Sequence, residues 1–295
     1  MGTLFAFLTS EDLSTPIRED QLLIKAMNHL GHQVDFVPWQ RLENPSQYQG
    51  GVLVRTTWDY TEHLDDFLQT LKDVEYSQVP LYNPYRLIRW NGTKSYLRDL
   101  ELEGVNIPLS FWFEDVSEVQ PGLLWPPGSP AKSWVLKPQV SAGARGTHLL
   151  HQIEDWEKIK ESYQAQDWGP FMIQEYLPAV ADQGEISLVY LGGEYSHAVQ
   201  KRPRGGDFRV QEEHGGHTKI FTPDTQLIQH GLNILALLEE RPLYARVDVI
   251  PHPDQLKWLL IELELIEPQL FLDYAPESPA RLAHLLHQRA EKPGK

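Results

Sequence analysis

The sequence contains no cysteine and only three methionines. The absence of cysteine excludes disulfide bonds, a thiol nucleophile and cysteine-ligated zinc, and it fits a reducing compartment. No stretch approaches the roughly 18 apolar residues of a membrane span, and the first residues lack the basic region of a signal peptide. We therefore expect a cytoplasmic protein with no membrane partner.

Positive charge is also scarce. Lys and Arg number 26 against 41 Asp and Glu, which gives the 295 residues a formal net charge of −15. A chain this acidic is a poor candidate for binding nucleic acid, because that partner requires a basic face. Local basic segments in such a chain point instead to a small anionic ligand. At roughly 150 residues per domain, the length indicates about two domains or one large one.

The order of apolar segments predicts an α/β chain. A buried strand at residues 4–8 precedes a helix, and short strands follow at residues 34–39 and 51–55. Strands and helices joined by short links indicate a mostly parallel sheet. One helix is predicted to begin near Trp90 and to end near Leu102. The last third is rich in strands, so we expect α+β character there.

Alternate residues on one C-terminal strand are acidic. Leu263 and Leu265 would point to one face and Glu262 and Glu264 to the other, since side chains alternate along a strand. Two such carboxylates lie about 7 Å apart and repel each other unless a cation lies between them. A hairpin with the preceding strand would add Asp248, and three carboxylates suit one or two Mg²⁺ ions that also hold nucleotide phosphates. Taken alone, this feature also fits a solvated acidic face.

Two lysines accompany segments that suit phosphate groups. Lys137 ends a strand and precedes a loop of small residues, 139–147, whose backbone N–H groups can approach phosphate oxygens. Lys94 lies at a predicted helix start after Asn91 and Gly92. The loop lacks the spacing of a P-loop, and no G-x-G-x-x-G follows a strand. Taken singly, each lysine also fits an ordinary exposed position.

A basic loop with four glycines spans residues 201–217. Its four cations are Lys201, Arg202, Arg204 and Arg209. Arginine can hold a phosphate or a carboxylate through two parallel hydrogen bonds, so the loop is either a mobile anion clamp or a solvated flexible loop. His214 and His217 are weak signals for a metal site, because two histidines alone do not define one.

Other catalytic signals are few. Arg55 ends a predicted parallel strand, where open α/β sheets bind ligands, and a surface salt bridge is the alternative for it. The sequence contains neither G-x-S-x-G nor H-E-x-x-H, so serine hydrolase and zincin chemistry are unsupported.

The order of these features resembles the ATP-grasp superfamily, in the branch of prokaryotic glutathione synthetase and the RimK-type ligases. The resemblance runs from about Arg55 to Pro268 and includes the strand end Gln174-Glu175-Tyr176-Leu177. Four segments further resemble the amino-acid ligase-like group that includes the O-ureidoserine cyclo-ligase of cycloserine biosynthesis: Arg55 to Tyr60, Arg89 to Asn91, Gly206 to Arg209 and Glu262 to Pro268.

This resemblance implies an architecture and a set of roles. Residues 1–90 would form an N-terminal open, mostly parallel sheet domain for the substrate, residues 91–175 the central ATP-grasp subdomain, and residues 176–295 the C-terminal subdomain with the metal site. Lys94, Lys137 and Ser141 would bind the phosphates of ATP, Gln174, Glu175, Tyr176 and Leu177 would line the adenine slot, and Glu185 would lie near the ribose. Asp248, Glu262 and Glu264 would carry two Mg²⁺ ions, for which Mn²⁺ can substitute. Lys201 and Arg209 would grip the transferred phosphoryl group and the substrate carboxylate, and Arg55 would bind substrate.

The implied activity is ADP-forming ligation of a carboxylate to an amine through an acyl phosphate. The substrate would be an amino acid or a small peptide-like molecule, with intramolecular cyclisation as one form of the reaction. Glutathione synthetases usually carry Glu-x-Asn where this chain has Glu262 and Glu264, which argues against glutathione as the product. The alternatives are a small-molecule kinase and a non-catalytic ATP-binding regulatory protein. The resembling families are compatible with a homo-oligomer.

Overall fold

Three β-sheets with helices packed around them make up the chain. The computed structural model describes residues 2–126, 132–166, 168–205, 209–210, 215–252 and 258–291. Within these ranges, no helix combines the length and apolar character that a membrane crossing requires.

The first sheet is parallel, and its two central strands are buried at every residue except Leu4. Its order is β2-β1-β3-β4, with α1 and α2 in the connections. The bounds are β1 Leu4–Thr9, α1 Arg18–His29, β2 Gln33–Pro38, β3 Gly51–Thr56, α2 Leu64–Tyr76 and β4 Leu81–Tyr82. Nearly continuous apolar sequence in β1 and β3 suits strands that are covered on both faces. The predicted α/β class and the parallel N-terminal sheet are confirmed.

The segment after β4 forms two helices where the sequence predicted one. They are α3 Tyr85–Asn91 and α4 Tyr96–Leu102. The prediction of a single helix from Trp90 to Leu102 is wrong, because the backbone leaves the helix at residues 92–95. There the N–H of Lys94 donates to the carbonyl of Gln139 (2.8 Å), a bond that ties this break to the loop after Lys137.

The second sheet is antiparallel, with the order β5-β8-β6-β7. Its elements are β5 Ser110–Phe113, α5 Pro121–Leu124, β6 Trp134–Pro138, β7 His148–Leu150, α6 Ile153–Ala165 and β8 Phe171–Glu175. Trp134, Trp156 and Phe171 fill its core. The sheet thereby fixes Lys137 and Gln174 on neighbouring strands.

The third sheet is also antiparallel, with the order β11-β10-β9-β12-β13. Its elements are α7 Ala179–Gln183, β9 Glu185–Leu191, β10 Glu194–Arg202, β11 His217–Phe221, α8 Thr225–Leu235, β12 Tyr244–Pro251, β13 Trp258–Glu264 and α9 Ser278–Glu291. Gly192 and Gly193 turn β9 into β10 with φ of 63° and 76°, a conformation that glycine adopts without steric cost. The predicted strand-rich C-terminal part is confirmed.

Two buried asparagines join the ends of these layers. Asn83 donates to the carbonyls of Tyr244 (2.9 Å) and Leu265 (2.8 Å), and it accepts from the N–H of Leu243 (2.6 Å). Asn91 donates to the carbonyl of Leu263 (2.8 Å) and accepts from the N–H of Leu265 (2.9 Å). These bonds fix β12 and β13 against the N-terminal part of the chain, where the candidate site lies.

Candidate active site

A cavity of about 900 Å³ lies where the three sheets meet. All predicted site residues except Arg55 and Asp248 line it. We divide its lining residues into three groups: the apolar side chains around residues 174–177 (the apolar end), the charged side chains on β12 and β13 (the charged centre), and Trp58, Tyr60 and Glu267 (the N-terminal end). Each region presents a different chemistry.

The apolar end is built on the strand end that the sequence singled out. Leu177 packs with Ile250, and Val180 and Ile261 lie against the same cluster. All four also line the cavity. Glu175 turns its carboxylate to Lys132 (2.8 Å). An apolar part of a cavity can receive a heteroaromatic ring.

The acidic residues of the charged centre come together as the alternation predicted. β12 and β13 pair antiparallel, with Asp248 opposite Glu262. One carboxylate oxygen from each of Asp248, Glu262 and Glu264 lies within 4.8 Å of the others. An all-oxygen donor set of this size fits Mg²⁺, which is bound through one or two carboxylates together with phosphates and water. The predicted hairpin of three carboxylates is confirmed; their role as metal ligands remains a proposal.

Each of these carboxylates contacts a cation. Lys94 donates to Glu262 (2.9 Å) and to the carbonyl of Ser141 (3.2 Å). Lys201 contacts Asp248 (3.2 Å) and also pairs with Glu185. The centre therefore holds its acidic groups in defined positions without leaving unbalanced charge.

Arg246 is a residue of the centre that the sequence analysis missed. Its guanidinium donates to Asp248 (2.8 Å) and pairs with Glu264. The signal was present, because Arg246 precedes Asp248 by two residues and so shares its face of β12. From this strand, the sequence analysis selected only Asp248 as a candidate site residue.

Burial and these contacts shift the pKa values of the acidic groups in opposite directions. Burial opposes ionisation of Asp248, yet Arg246 and Lys201 hold the pKa of Asp248 well below its usual value. Burial is likewise outweighed at Glu262, where Lys94 and Lys137 lower the pKa. Burial dominates at Glu264 and raises its pKa to about 8 against the pull of Arg246. Groups with separated pKa values in one cavity are typical of functional sites.

Lys137 is the cation best placed for an incoming anion. Its Nζ donates to Gln174 Oε1 (2.9 Å), and no carboxylate of the described ranges forms an ion pair with it. Burial lowers the pKa of Lys137, and the charge of Lys94 acts in the same direction. A phosphate beside this ammonium would supply the missing negative charge.

Arg55 lies near the end of the parallel strand β3, as predicted, but its side chain does not line the cavity. The side chain is 1% exposed, outside the cavity, and it pairs with Glu19 and Asp20 at the start of α1. The prediction that Arg55 binds substrate is corrected: with both ionic partners buried and no cavity surface, its guanidinium has no access to a ligand. It also donates to the carbonyl of Pro268 (3.4 Å), so it supports the segment that follows β13.

The clamp predicted at residues 201–217 is described only in part. Residues 206–208 and 211–214, including His214, lie outside the described ranges. Lys201 and Arg209 both line the cavity. His217 begins β11 and is exposed there. The gripping role of Lys201 and Arg209 stays a prediction.

Comparison with known proteins assigns two parts of the chain. Residues 5–83 match the N-terminal domain of D-cycloserine synthetase DcsG, and residues 129–256 match the ATP-grasp domain of prokaryotic glutathione synthetase. The cycloserine biosynthesis protein DcsG of Streptomyces lavendulae is 24% identical over 310 aligned positions, covering 96% of this chain and 97% of that protein.

Solved structures share the whole fold. The crystal structure of D-cycloserine synthetase DcsG superposes with a TM-score of 0.84 at 24% identity, covering 97% of this chain and 99% of that one. D-alanine–D-alanine ligase from Bacillus anthracis superposes with a TM-score of 0.71 at 13% identity, covering 99% and 98%. The predicted resemblance and fold are confirmed.

Proposed function

We propose that this chain, an ATP-grasp protein and ATP-dependent carbon–nitrogen ligase, activates a substrate carboxylate as an acyl phosphate and transfers the acyl group to an amine, with ADP and phosphate as the other products. The observation that carries the proposal is the charged centre. It combines three carboxylates within 4.8 Å with four cations, Lys94, Lys137, Lys201 and Arg246, along one cavity. Phosphoryl transfer is catalysed by such positioning and charge stabilisation.

In this proposal the three parts of the chain have separate tasks. Residues 1–90 bind the substrate, residues 91–175 contribute the central ATP-grasp subdomain, and residues 176–295 contribute the subdomain with the metal site. The cavity supports this division, since residues of all three parts line it.

ATP would lie along the cavity from its apolar end to its charged centre. The purine would occupy the space beside Gln174, Glu175, Tyr176 and Leu177, with Glu185 near the ribose. Lys94 and Lys137 would bind the α- and β-phosphates, with the backbone around Ser141 next to them. The hydrogen bond from Lys94 to the Ser141 carbonyl holds this loop beside both lysines.

Asp248, Glu262 and Glu264 would hold two Mg²⁺ ions, or Mn²⁺ in their place. The bound ions would neutralise charge on the phosphates of ATP. The donor set supports this, because every member offers a carboxylate oxygen on the same face of one hairpin. Arg246 and Lys94 keep Glu264 and Glu262 turned towards that face.

The protein's own cations would then stabilise the transfer itself. The substrate carboxylate attacks the γ-phosphorus of ATP, and the bond to the β,γ-bridging oxygen breaks as ADP leaves. Lys201, Arg209 and Arg246, which line the same cavity, would bind the oxygens on which negative charge develops. The amine then attacks the acyl carbon, phosphate leaves, and the amine loses a proton. Closure by residues 202–217 would keep water from hydrolysing the acyl phosphate.

An amino acid or a small peptide-like molecule is the substrate class that we propose. Similarity to DcsG along almost the whole chain supports a small amino-acid-derived substrate. The proposed reaction includes cyclisation, in which the carboxylate and the amine belong to one molecule. ATP and this substrate are the partners that we propose for the cavity. A homo-oligomer is compatible with the proposal.

The test is to incubate the protein with ATP, Mg²⁺, amino acids and small amines, and to identify nucleotides and new products by mass spectrometry. We expect ADP together with a product lighter than its precursors by one water. Loss of water from a single substrate would identify a cyclo-ligase.

Three other results would contradict the proposal. A product heavier by one phosphate would indicate a kinase, AMP would exclude the acyl-phosphate route, and ATP binding without turnover would indicate a regulatory protein. Glu262→Ala is the inactive control. Glu239→Ala, which removes an exposed carboxylate outside the cavity, is the matched control for charge loss.

A further inference from the structure

Glu267 is a carboxylate in the cavity that the proposed chemistry leaves without a role. It lies at the N-terminal end, three residues beyond β13, and it is half-buried. Among the described residues, no lysine, arginine or histidine forms an ion pair with it, whereas Asp248, Glu262 and Glu264 each have one. Burying part of a carboxylate without a cationic partner costs free energy, which a positively charged group of a ligand would offset.

Glu267 is not part of the acidic set that would bind metal. The cluster of carboxylate oxygens within 4.8 Å comprises Asp248, Glu262 and Glu264 alone among the described residues. Burial raises the pKa of Glu267 to about 8, and the charge of Glu262 acts in the same direction. The site therefore favours any ligand that brings a cation to this carboxylate.

The backbone on both sides of Glu267 is held in place. The Tyr244 hydroxyl donates to the carbonyl of Ile266 (2.7 Å), and Arg55 donates to the carbonyl of Pro268 (3.4 Å). Glu19 accepts from the N–H of Leu270 (3.1 Å). Fixed supports on both sides make Glu267 a preorganised group rather than a mobile surface residue.

Aromatic side chains complete this end of the cavity. Trp58 and Tyr60 come from the loop after β3 and line the cavity together with Glu267. Trp58 is 39% exposed, although its indole is a large apolar group. Tyr60 is buried, and burial raises the pKa of its hydroxyl; the charge of Glu267 is the next largest cause of that shift. A carboxylate beside aromatic rings is the combination that binds ammonium groups, through charge-assisted hydrogen bonds and cation–π contact.

We propose that Glu267, Trp58 and Tyr60 form a subsite for the ammonium group of the substrate. The inference rests on the proposed ligase function and narrows it: the molecule whose carboxylate reaches the charged centre carries a free amino group at the N-terminal end. An amino acid satisfies both requirements, whereas an N-acylated amino acid or a simple carboxylic acid satisfies only one. Glu267 is thus a specificity-determining residue.

Binding measurements test this separately from turnover. Calorimetry measures the binding of the twenty common amino acids, in both enantiomers where they are chiral, and of their N-acetyl derivatives. Each is titrated into the wild-type protein with Mg²⁺ and a non-hydrolysable ATP analogue. The same titrations are made with Glu267→Gln, which keeps the size and removes the charge. For the amino acids that bind the wild type, we expect the variant to bind at least about tenfold more weakly, since hydrogen bonds to charged groups are the strong ones. Affinity for the ATP analogue should change by less than about twofold.

Two controls secure the comparison. Glu239→Gln removes the same charge from an exposed position outside the cavity and should bind like the wild type. The thermal unfolding midpoint of Glu267→Gln should equal or exceed that of the wild type, because no ion pair of the described residues is lost. Glu267→Asp retains the charge on a shorter side chain and should recover part of the affinity.

Four outcomes would overturn the subsite. They are equal binding of N-acetyl derivatives to the wild type, unchanged affinity in Glu267→Gln, a parallel loss of affinity for the ATP analogue with Mg²⁺, which would make Glu267 a metal ligand, and no binding of any amino acid. Failure of the ligase proposal is distinguishable, because amino acids would then bind as described while no ADP is formed.

Discussion

Replacing Arg55 by leucine should destabilise the protein without removing a ligand contact. Arg55 is 1% exposed and its Nε donates to Asp20 (2.7 Å), while another guanidinium nitrogen pairs with Glu19. Glu19 and Asp20 are 4% and 0% exposed, so the variant Arg55→Leu leaves two buried carboxylates without a cation. Breaking a buried pair in this way costs about 3–5 kcal/mol, a large share of the roughly 5–15 kcal/mol that stabilises a typical domain.

The loss of folding stability in Arg55→Leu should depend on pH. Burial raises the pKa of Glu19 in the folded wild type, and Arg55 opposes that shift. Without Arg55 the folded-state pKa rises further above the unfolded value of 4.5. A carboxyl whose folded pKa is raised stabilises the fold only while it is protonated, so the variant loses stability as pH rises from about 4.5 through the folded pKa. The difference from the wild type should be larger at pH 8 than at pH 5.

Urea unfolding followed by tryptophan fluorescence measures this difference. The triple variant Arg55→Leu/Glu19→Gln/Asp20→Asn removes all three charges and should recover most of the lost free energy, since neutral replacements of buried ion pairs are tolerated. It should also bind ATP, because the triple variant leaves the charged centre and residues 174–177 unchanged. An unfolding curve for Arg55→Leu that matches the wild type would refute the reasoning, and so would a stable triple variant that has lost ATP binding.

Three further predictions concern the centre and its supports. Lys137→Ala should lower ADP formation at least about a hundredfold with an unchanged unfolding midpoint, as expected for loss of a charge-stabilising donor, whereas Lys158→Ala on the exposed face of α6 should leave the rate unchanged. Asn83→Ala should lower the free energy of unfolding by at least about 3 kcal/mol, measured in urea, because it leaves three buried backbone groups without partners. Chelation of divalent ions should stop ADP formation, and added Mg²⁺ should restore it; activity that persists in excess chelator would remove the metal assignment.

The sequence predicts best those features that depend on local periodicity. The strand alternation at Glu262 and Glu264 predicts their common face, and the short link to the strand of Asp248 predicts the hairpin that brings them together. These inferences need only the geometry of one strand and its neighbour. The α/β class and the strand-rich end follow from the same kind of pattern.

Contacts between distant residues could not be predicted in this way. Glu19 and Asp20 look like acidic residues of an ordinary helix N-terminus, and the sequence does not show that a strand cation 35 residues later is buried between them. The break at Lys94 has a similar cause, because its N–H bonds to Gln139 rather than continuing the helix. Long-range packing overrides local preference in both cases.

Charge balance explains how so acidic a chain can bind a polyphosphate. Lys94, Lys201 and Arg246 face Glu262, Asp248 and Glu264, and Lys137 contacts only a neutral amide among the described residues. The negative charge of a polyphosphate alone would exceed what one unpaired lysine can neutralise. The positive charge of metal ions alone would exceed what carboxylates already paired with cations can neutralise. Arriving together, the two ligands neutralise each other, and the protein groups exchange partners without creating a buried excess of either charge. We therefore expect the protein to bind ATP and divalent ions together more tightly than either one alone.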